Sequence, residues 1–169
     1  MKRLLAAALL LAALAALGVS AAAAGPGGTN RPFEGTIAGS ATFLLDATCP
    51  FTGRRTWSEA SGTASHLGLV TMVSNHCTPP ANDVTGGHMT FVAANGDELH
   101  MTYSGTCTAP PFPPVGEALT CSTDNVIVGG SGRFADATGE AEMTAIVTNA
   151  GFGAPEWPAT WTWHGTLSY

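Results

Sequence analysis

Hydrophobic and polar residues alternate with a period of two along most of the chain from Phe33 onward. Thr, Val and aromatic residues are frequent in these runs, and helical periodicity nowhere extends beyond about one turn. Such alternation is typical of β-strands with one buried face. The pattern predicts eight strands, at about 33–46, 56–64, 66–77, 86–94, 97–107, 119–129, 139–148 and 157–168.

The segments between these strands contain turn residues and no long crossover. Consecutive short strands of this kind form sandwiches or barrels. Closing the sheet into a barrel also removes its two unpaired edges. We therefore predict an all-β fold, an eight-stranded antiparallel up-and-down β-barrel over residues 33–169, preceded by a flexible leader at 25–32.

The first residues have a different character. Met1, Lys2 and Arg3 precede an apolar Leu/Ala run over residues 4–17, and small residues continue to Ala24. A charged start, a short apolar stretch and a small-residue cleavage region are the features of a secretory signal peptide. We predict a signal peptide at residues 1–24 and an extracellular mature protein. No second apolar segment approaches the length of a membrane span.

The cysteines support this compartment. There are four, and an even number in an exported chain indicates two disulfides. Their spacing lacks the paired clusters of a structural zinc site. The first and third strands end at the same end of the barrel, so we predict a Cys49–Cys77 bond. A Cys107–Cys121 bond is predicted to close one loop at that end.

Charge excludes two classes of partner. Once the signal segment is removed, the chain contains no lysine and four arginines against 12 acidic residues. Binding to the phosphate backbone of nucleic acids requires clustered basic side chains, and attraction to an anionic membrane surface requires a polybasic patch. The sequence therefore argues against both nucleic acid and a membrane surface.

The predicted loops differ between the two ends of the barrel. We call the end at which the first strand finishes the top. The top connections are long and rich in Pro and Gly, whereas the bottom ones are tight, as at Asn95-Gly96. Functional residues concentrate on long loops carried by a rigid scaffold. The candidates for a ligand-binding mouth at the top are Phe51, Arg54, Arg55, Phe112, Phe152 and Trp157. The favoured alternative is a lid, in which the same rings fold inward and complete the core.

A glycine-rich segment at residues 129–139, GGSGRFADATG, contains a match to the GxGxxA dinucleotide-binding pattern. That site requires a helix after the glycines, and Gly139 ends any helix within about one turn. We interpret the segment as a tight return in which Arg133 pairs with Asp136 and Phe134 seals the bottom of the barrel.

The same segment carries a family resemblance. Together with the closing residues 161–169, WTWHGTLSY, and the turns at 62–68, GTASHLG, and 95–97, NGD, it resembles the allene oxide cyclase barrel-like family. These are secreted bacterial proteins related to plant allene oxide cyclases and dirigent proteins. The resemblance covers most of residues 33–169 and implies an eight-stranded barrel with an apolar interior. The catalytic acid or cysteine of that family has no matched position in this sequence.

Acid–base chemistry requires carboxylates in a desolvated pocket. Glu59 shares its strand parity with Trp57, and Asp124 shares its parity with Val126, so these two acids are the candidates for an inward, catalytic position. The five histidines do not converge as metal ligands do. We place His88, His100 and His164 on the outer wall and expect His66 to bond to backbone. No cofactor or metal is predicted.

Two further expectations concern packing. A loop of three residues, 94–96, is predicted because it places Phe91 opposite Leu99 and Met89 opposite Met101. A two-residue loop would turn one strand inside out. The interior is predicted to hold at most a modest apolar pocket, beside the small residues of the first and seventh strands and open toward the top.

The leading functional interpretation is a non-enzymatic extracellular barrel that binds a small apolar ligand or another surface. One alternative is an isomerase or cyclase acting on a hydrophobic substrate, as the family resemblance implies. A further alternative is a structural or interaction domain with a filled interior. An inward carboxylate at Glu59 or Asp124 beside empty volume would favour the enzyme.

Overall fold

The fold is a closed antiparallel β-barrel. A computed structural model describes residues 28, 30–50, 52–78, 82–108, 113–151 and 153–169. The strands are β1 (Arg31–Leu45), β2 (Arg54–Ala64), β3 (Gly68–Cys77), β4 (Asp83–Ala93), β5 (Glu98–Cys107), β6 (Ala118–Gly130), β7 (Thr138–Thr148) and β8 (Trp157–Ser168). Each strand pairs with its neighbours in sequence, and β8 pairs with β1 to close the barrel. The predicted architecture is confirmed.

The signal peptide stays a prediction, because residues 1–24 lie outside the described residues. β1 begins at Arg31, inside the segment that we predicted as a leader, and Gly28 N donates a hydrogen bond to Tyr169 O at 2.9 Å. No helix in the described part of the chain has the length and hydropathy to cross a membrane.

The β4–β5 turn has the predicted register. Phe91 pairs with Leu99 and Met89 with Met101, and all four side chains are buried. Ala93 N donates to Asp97 O at 2.9 Å, and Gly96 has a φ of 87°, a backbone conformation that glycine adopts without steric cost. The three-residue loop is confirmed, and its physical cause is the burial of one strand face.

The bottom of the barrel is sealed by Phe134. This ring lies in a short 3-10 turn, Gly132–Phe134, has no exposed surface and packs against the Tyr169 ring at a centroid distance of 4.9 Å. Above it, Phe91 packs edge-on against Trp163 at 5.1 Å. The predicted seal is confirmed, and aromatic rings fill this half of the barrel.

The predicted partner of Arg133 is wrong. Arg133 Nε lies 3.4 Å from Asp97 Oδ2, and Arg133 Nη2 donates to His66 O at 2.6 Å. The short 3-10 turn directs the guanidinium toward the two neighbouring bottom turns, so the ion pair joins separate loops. Asp136, which we expected to be its local partner, is exposed.

Both predicted disulfides are present, and both lie at the top. Cys49 and Cys77, with Cα atoms 5.3 Å apart, join the β1–β2 loop to the end of β3. Cys107 and Cys121 are direct partners in the β5–β6 ladder, with Cα atoms 3.8 Å apart. The described residues include no free cysteine. These bonds tie together four of the chain segments that form the upper rim.

Candidate functional site

The upper half of the barrel contains a cavity of about 90 Å³. Ala41 on β1 and Ala145 on β7 border it, which is where the small residues of the first and seventh strands were expected to leave space. The predicted position and modest size of the pocket are confirmed.

One side of the cavity is hydrocarbon except for Thr123 on β6, whose Oγ1 accepts a hydrogen bond from Asn125 Nδ2 at 3.1 Å. We call this side the apolar wall. It comes mainly from β1, β6, β7 and β8 and consists of Ala41, Phe43, Leu119, Met143, Ala145, Val147 and Trp161. The Cys107–Cys121 disulfide and Val84 continue it toward β4 and β5. Such a surface accepts an apolar molecule with no loss of hydrogen bonds.

The opposite side is polar, which corrects the expectation of a purely apolar pocket. We call it the polar wall, and it consists of Thr56, Ser58, Ser74, His76, Thr78 and Tyr103. Five of these residues belong to β2 or β3 or directly follow β3. The inward positions of these two strands are polar near the top, so the alternation that marks buried positions elsewhere is missing here.

The polar wall is partly satisfied by its own hydrogen bonds. His76 Nδ1 lies 2.9 Å from the Tyr103 hydroxyl, and Thr56 Oγ1 lies 2.9 Å from Thr78 Oγ1. Tyr103 is also hydrogen-bonded to the side chain of Ser74. Within the described part of the chain, Ser58 Oγ and His76 Nε2 have no hydrogen-bond partner. Two polar atoms of the wall are therefore available.

Burial keeps the polar wall uncharged at neutral pH. It lowers the pKa of His76 to about 4, and the nearby Arg55 guanidinium acts in the same direction. Burial also raises the pKa of Tyr103 to about 12, against an opposing hydrogen bond from Ser74. General acid–base catalysis is most efficient when the pKa of the group lies near the working pH. Both groups are therefore uncharged at pH 7 and hydrogen-bond in their neutral forms.

The two candidate catalytic acids do not face the interior. Glu59 is exposed on the outer wall, where its Oε1 accepts a hydrogen bond from Trp57 Nε1 at 2.9 Å. Asp124 is also exposed. Neither acid takes the inward position for which it was a candidate, because the apolar parity that suggested Asp124 faces outward: Val126 is 46% exposed. Among the described residues that line the cavity, none is Asp, Glu, Lys or Arg.

The predicted mouth residues divide into three groups. Arg54 and Trp157 border a second cavity of about 260 Å³ at the top rim. Arg55 points outward instead, with Nε 2.6 Å from Asp46 Oδ2 and Nη1 donating to Asn75 Oδ1 at 2.8 Å. Alternation along β2 places these adjacent arginines on opposite faces. The mouth residues that fall outside the described residues are Phe51, Phe112 and Phe152.

Trp157 lies between the rim and the core. It is 3% exposed, packs against Phe43 with ring centroids 4.9 Å apart, and its Nε1 donates to Gly151 O at 3.3 Å. Phe43 and Thr78 line both cavities, so the two spaces are adjacent. The Phe43–Trp157 pair lies at the boundary of the two cavities.

His76, the one histidine that lines the cavity among the described residues, was missed in the sequence analysis. His88 and His164 lie on the outer wall as predicted, and His100 contacts Glu98 there, at 2.9 Å. His66 bonds to Pro32 O at 2.9 Å. We singled out no role for His76, although Val70, Met72 and His76 share one parity on β3 and that parity could have identified it.

Metal binding has no support in the described residues, which include no group of three or more His, Cys, Asp or Glu side chains arranged to hold a metal ion. No protein-family model matches this chain, and neither a curated protein nor a solved structure matches it. A functional assignment therefore rests on the residues and geometry of the barrel.

Proposed function

We propose that this protein is an exported β-barrel that binds a small, largely apolar molecule in the upper half of its interior, without catalysing a reaction on it. The observation that carries the proposal is the cavity at the top, lined by a largely apolar wall and a few hydrogen-bonding groups. Small-molecule sites in proteins have this composition, and the mouths of barrels are among their preferred locations.

The size of the two cavities supports a small ligand. The inner cavity of about 90 Å³ is smaller than the roughly 150 Å³ that accepts benzene. The rim cavity adds about 260 Å³. Together the two spaces reach the lower end of the range of roughly 300–1,000 Å³ found for ligand pockets. A molecule that occupies both passes the Phe43–Trp157 pair.

Export is supported by two independent features. The charged and apolar pattern of residues 1–24 is that of a signal peptide. Both disulfides are typical of an oxidising compartment. The resemblance to the allene oxide cyclase barrel-like family, whose bacterial members are secreted, is part of this proposal and agrees with the barrel architecture.

The charge of the cavity favours binding over catalysis. Cyclisation or isomerisation by proton transfer needs an acid or base with a suitable pKa. Glu59 lies outside the barrel, and the pKa values of His76 and Tyr103, about 4 and about 12, are both remote from neutrality. A ligand-binding role needs none of these groups to change its charge.

Native mass spectrometry of protein purified from culture medium tests the proposal. We expect an added mass of one small molecule that is lost on denaturation. Ala145→Leu fills the cavity from the apolar wall and should abolish this mass, whereas Ala38→Leu, a matched substitution on the exposed outer face, should retain it. A protein that carries no added mass and shows no NMR response to octane or 2-octanone would contradict the proposed function.

A further inference from the structure

The two unlike walls of the cavity contain information about the ligand. Hydrocarbon lines one side apart from the Thr123 hydroxyl, which is hydrogen-bonded to Asn125, and hydroxyl groups with one imidazole line the other. We infer that the ligand carries one uncharged oxygen function, an alcohol or a ketone, which bonds to the polar wall while its hydrocarbon body lies against the apolar wall. This inference rests on the proposed function and specifies the chemical class of its ligand.

The unpartnered atoms of the polar wall define the recognition chemistry. Thr56, Thr78, Ser74 and Tyr103 are engaged in hydrogen bonds with each other or with His76. Ser58, which is 5% exposed, has no partner for its Oγ in the described chain. Ser58 lines the cavity, and its Oγ is not among the enclosed unsatisfied atoms of the described residues, so this oxygen is open to the cavity. A ligand oxygen in the cavity supplies what the protein lacks at this position.

The His76–Tyr103 hydrogen bond allows either an alcohol or a ketone. If the Tyr103 hydroxyl donates to His76 Nδ1, the imidazole proton is on Nε2, which then donates to a ketone oxygen. If His76 Nδ1 donates to Tyr103, Nε2 is an acceptor and takes the proton of an alcohol. The Ser58 hydroxyl both donates and accepts. The shared chemistry is therefore a single neutral oxygen.

A charged ligand does not fit the same site. The described lining of the inner cavity includes no arginine, lysine or carboxylate to pair with an ion. His76 is neutral at pH 7, so it provides no charge either. Burying an unpaired ion costs far more free energy than burying a hydrogen-bonded neutral group. Arg54 borders the rim cavity rather than the inner one, so a carboxylate would be held at the rim.

The positions of the two walls also orient the ligand. The polar wall lies on β2 and β3 with Tyr103 from β5, and Trp161 and Met143 lie on the apolar wall. The inner cavity holds the oxygen-bearing end and a few carbons. The remaining hydrocarbon extends past Phe43 into the rim cavity beside Trp157. An eight-carbon chain with the oxygen near one end is a suitable probe.

Four probes with the same carbon chain test the inference: octane, 2-octanone, 2-octanol and octanoate. Affinities are measured by NMR titration at pH 7 for the wild type, Ser58→Ala and His76→Phe. Ser61→Ala is the control, because Ser61 lies on the same strand but on its exposed outer face. We expect Ser58→Ala and His76→Phe to weaken 2-octanone or 2-octanol binding by about 3- to 10-fold, the loss of one net hydrogen bond.

Octane binding should be unchanged or tighter in both cavity variants, and Ser61→Ala should leave all four affinities unchanged. Equal effects of Ser58→Ala on octane and on the oxygen-bearing probes would overturn the inference while leaving the binding function intact. The inference would also be overturned if octanoate bound most tightly of the four probes and Arg54→Ala abolished its binding. That result would indicate an anionic ligand at the rim. If none of the four probes binds and the purified protein carries no added mass, the proposed function fails as well.

Discussion

The two halves of the barrel are built by different means. The lower half is filled by aromatic rings, of which Phe33, Phe91, Phe134 and Trp163 have no exposed surface. Tight turns and the Arg133–Asp97 ion pair close it. The upper half contains a cavity, hydroxyl groups and both disulfides. Stability from packing and space for a ligand are therefore separated along the barrel axis.

This separation explains why the disulfides lie where they do. A hollow region loses the dispersion contacts that a filled core provides. Covalent links stabilise such a region by restricting the unfolded chain, with no need for a packed interior. Cys49–Cys77 and Cys107–Cys121 join strand ends around the cavity. The cross-links add to the less complete packing of the upper half.

The difference between the two halves of the barrel is tested most strongly by replacing one phenylalanine in each half with alanine. Phe134→Ala removes a ring with no exposed surface, and we expect it to lower the free energy of unfolding by about 3–5 kcal/mol. Phe43→Ala removes a partly exposed ring at the cavity, with an expected loss of about 1–2 kcal/mol. Denaturant unfolding followed by circular dichroism measures both. Equal losses would show that the two halves contribute alike.

Removing the Cys49–Cys77 disulfide comes next in expected size. The double variant Cys49→Ala/Cys77→Ala should lose about 3–4 kcal/mol, because the bond closes a long loop, with a sequence separation of 28. Hydrogen exchange should show weaker protection in the upper parts of β1 to β3 and retained protection around Phe91 and Trp163. If protection from hydrogen exchange fell equally at the bottom of the barrel, the two ends of the barrel would not be stabilised independently.

The pH dependence of stability should report His76. Its pKa is about 4 in the folded protein, against an ordinary value of 6.5 for histidine, so the unfolded state binds the proton first as the pH falls. The free energy of unfolding should therefore be unaffected by this group above about pH 6.5 and fall by about 3 kcal/mol between pH 6.5 and pH 4. Urea unfolding at several pH values measures the slope.

His76→Phe is the control for that slope and should flatten it. Asp46 titrates at lower pH than His76. Hydrogen bonds from Thr48 and Arg55 hold the pKa of its carboxyl at about 2. Its contribution to the free energy of unfolding is therefore present above pH 3.8 and is lost as the pH falls toward 2. A slope between pH 6.5 and pH 4 that persists unchanged in His76→Phe would assign it to other groups.

The fold was predictable because alternation along most strands is strict. Phe91 opposite Leu99 and Met89 opposite Met101 follow from burying one face, and burial selected the loop length as well. The disulfide pairing followed from the strand order, since neighbouring ends lie at the same rim. These are consequences of local patterning and topology.

The site was less predictable because its strands break that rule. Thr56, Ser58 and Ser74 face inward although they are polar, whereas Val126 and Val128 face outward although they are apolar. Parity arguments based on hydrophobicity therefore made Glu59 and Asp124 candidates for an inward position and assigned His76 no role. Where polar side chains line a cavity, the inward positions are polar, so hydrophobicity no longer identifies them.

The pairing of β1 with β8 has a consequence for how the chain folds. These strands are separated by almost the whole sequence, yet their ladder extends from Arg31 opposite Leu167 to Ala41 opposite Trp157. Until β8 has joined, β1 and β7 each present an unpaired edge that can recruit strands of other copies. The closing step links distant residues and is entropically slow. Aggregation during refolding should thus depend on protein concentration in the interval before β8 docks.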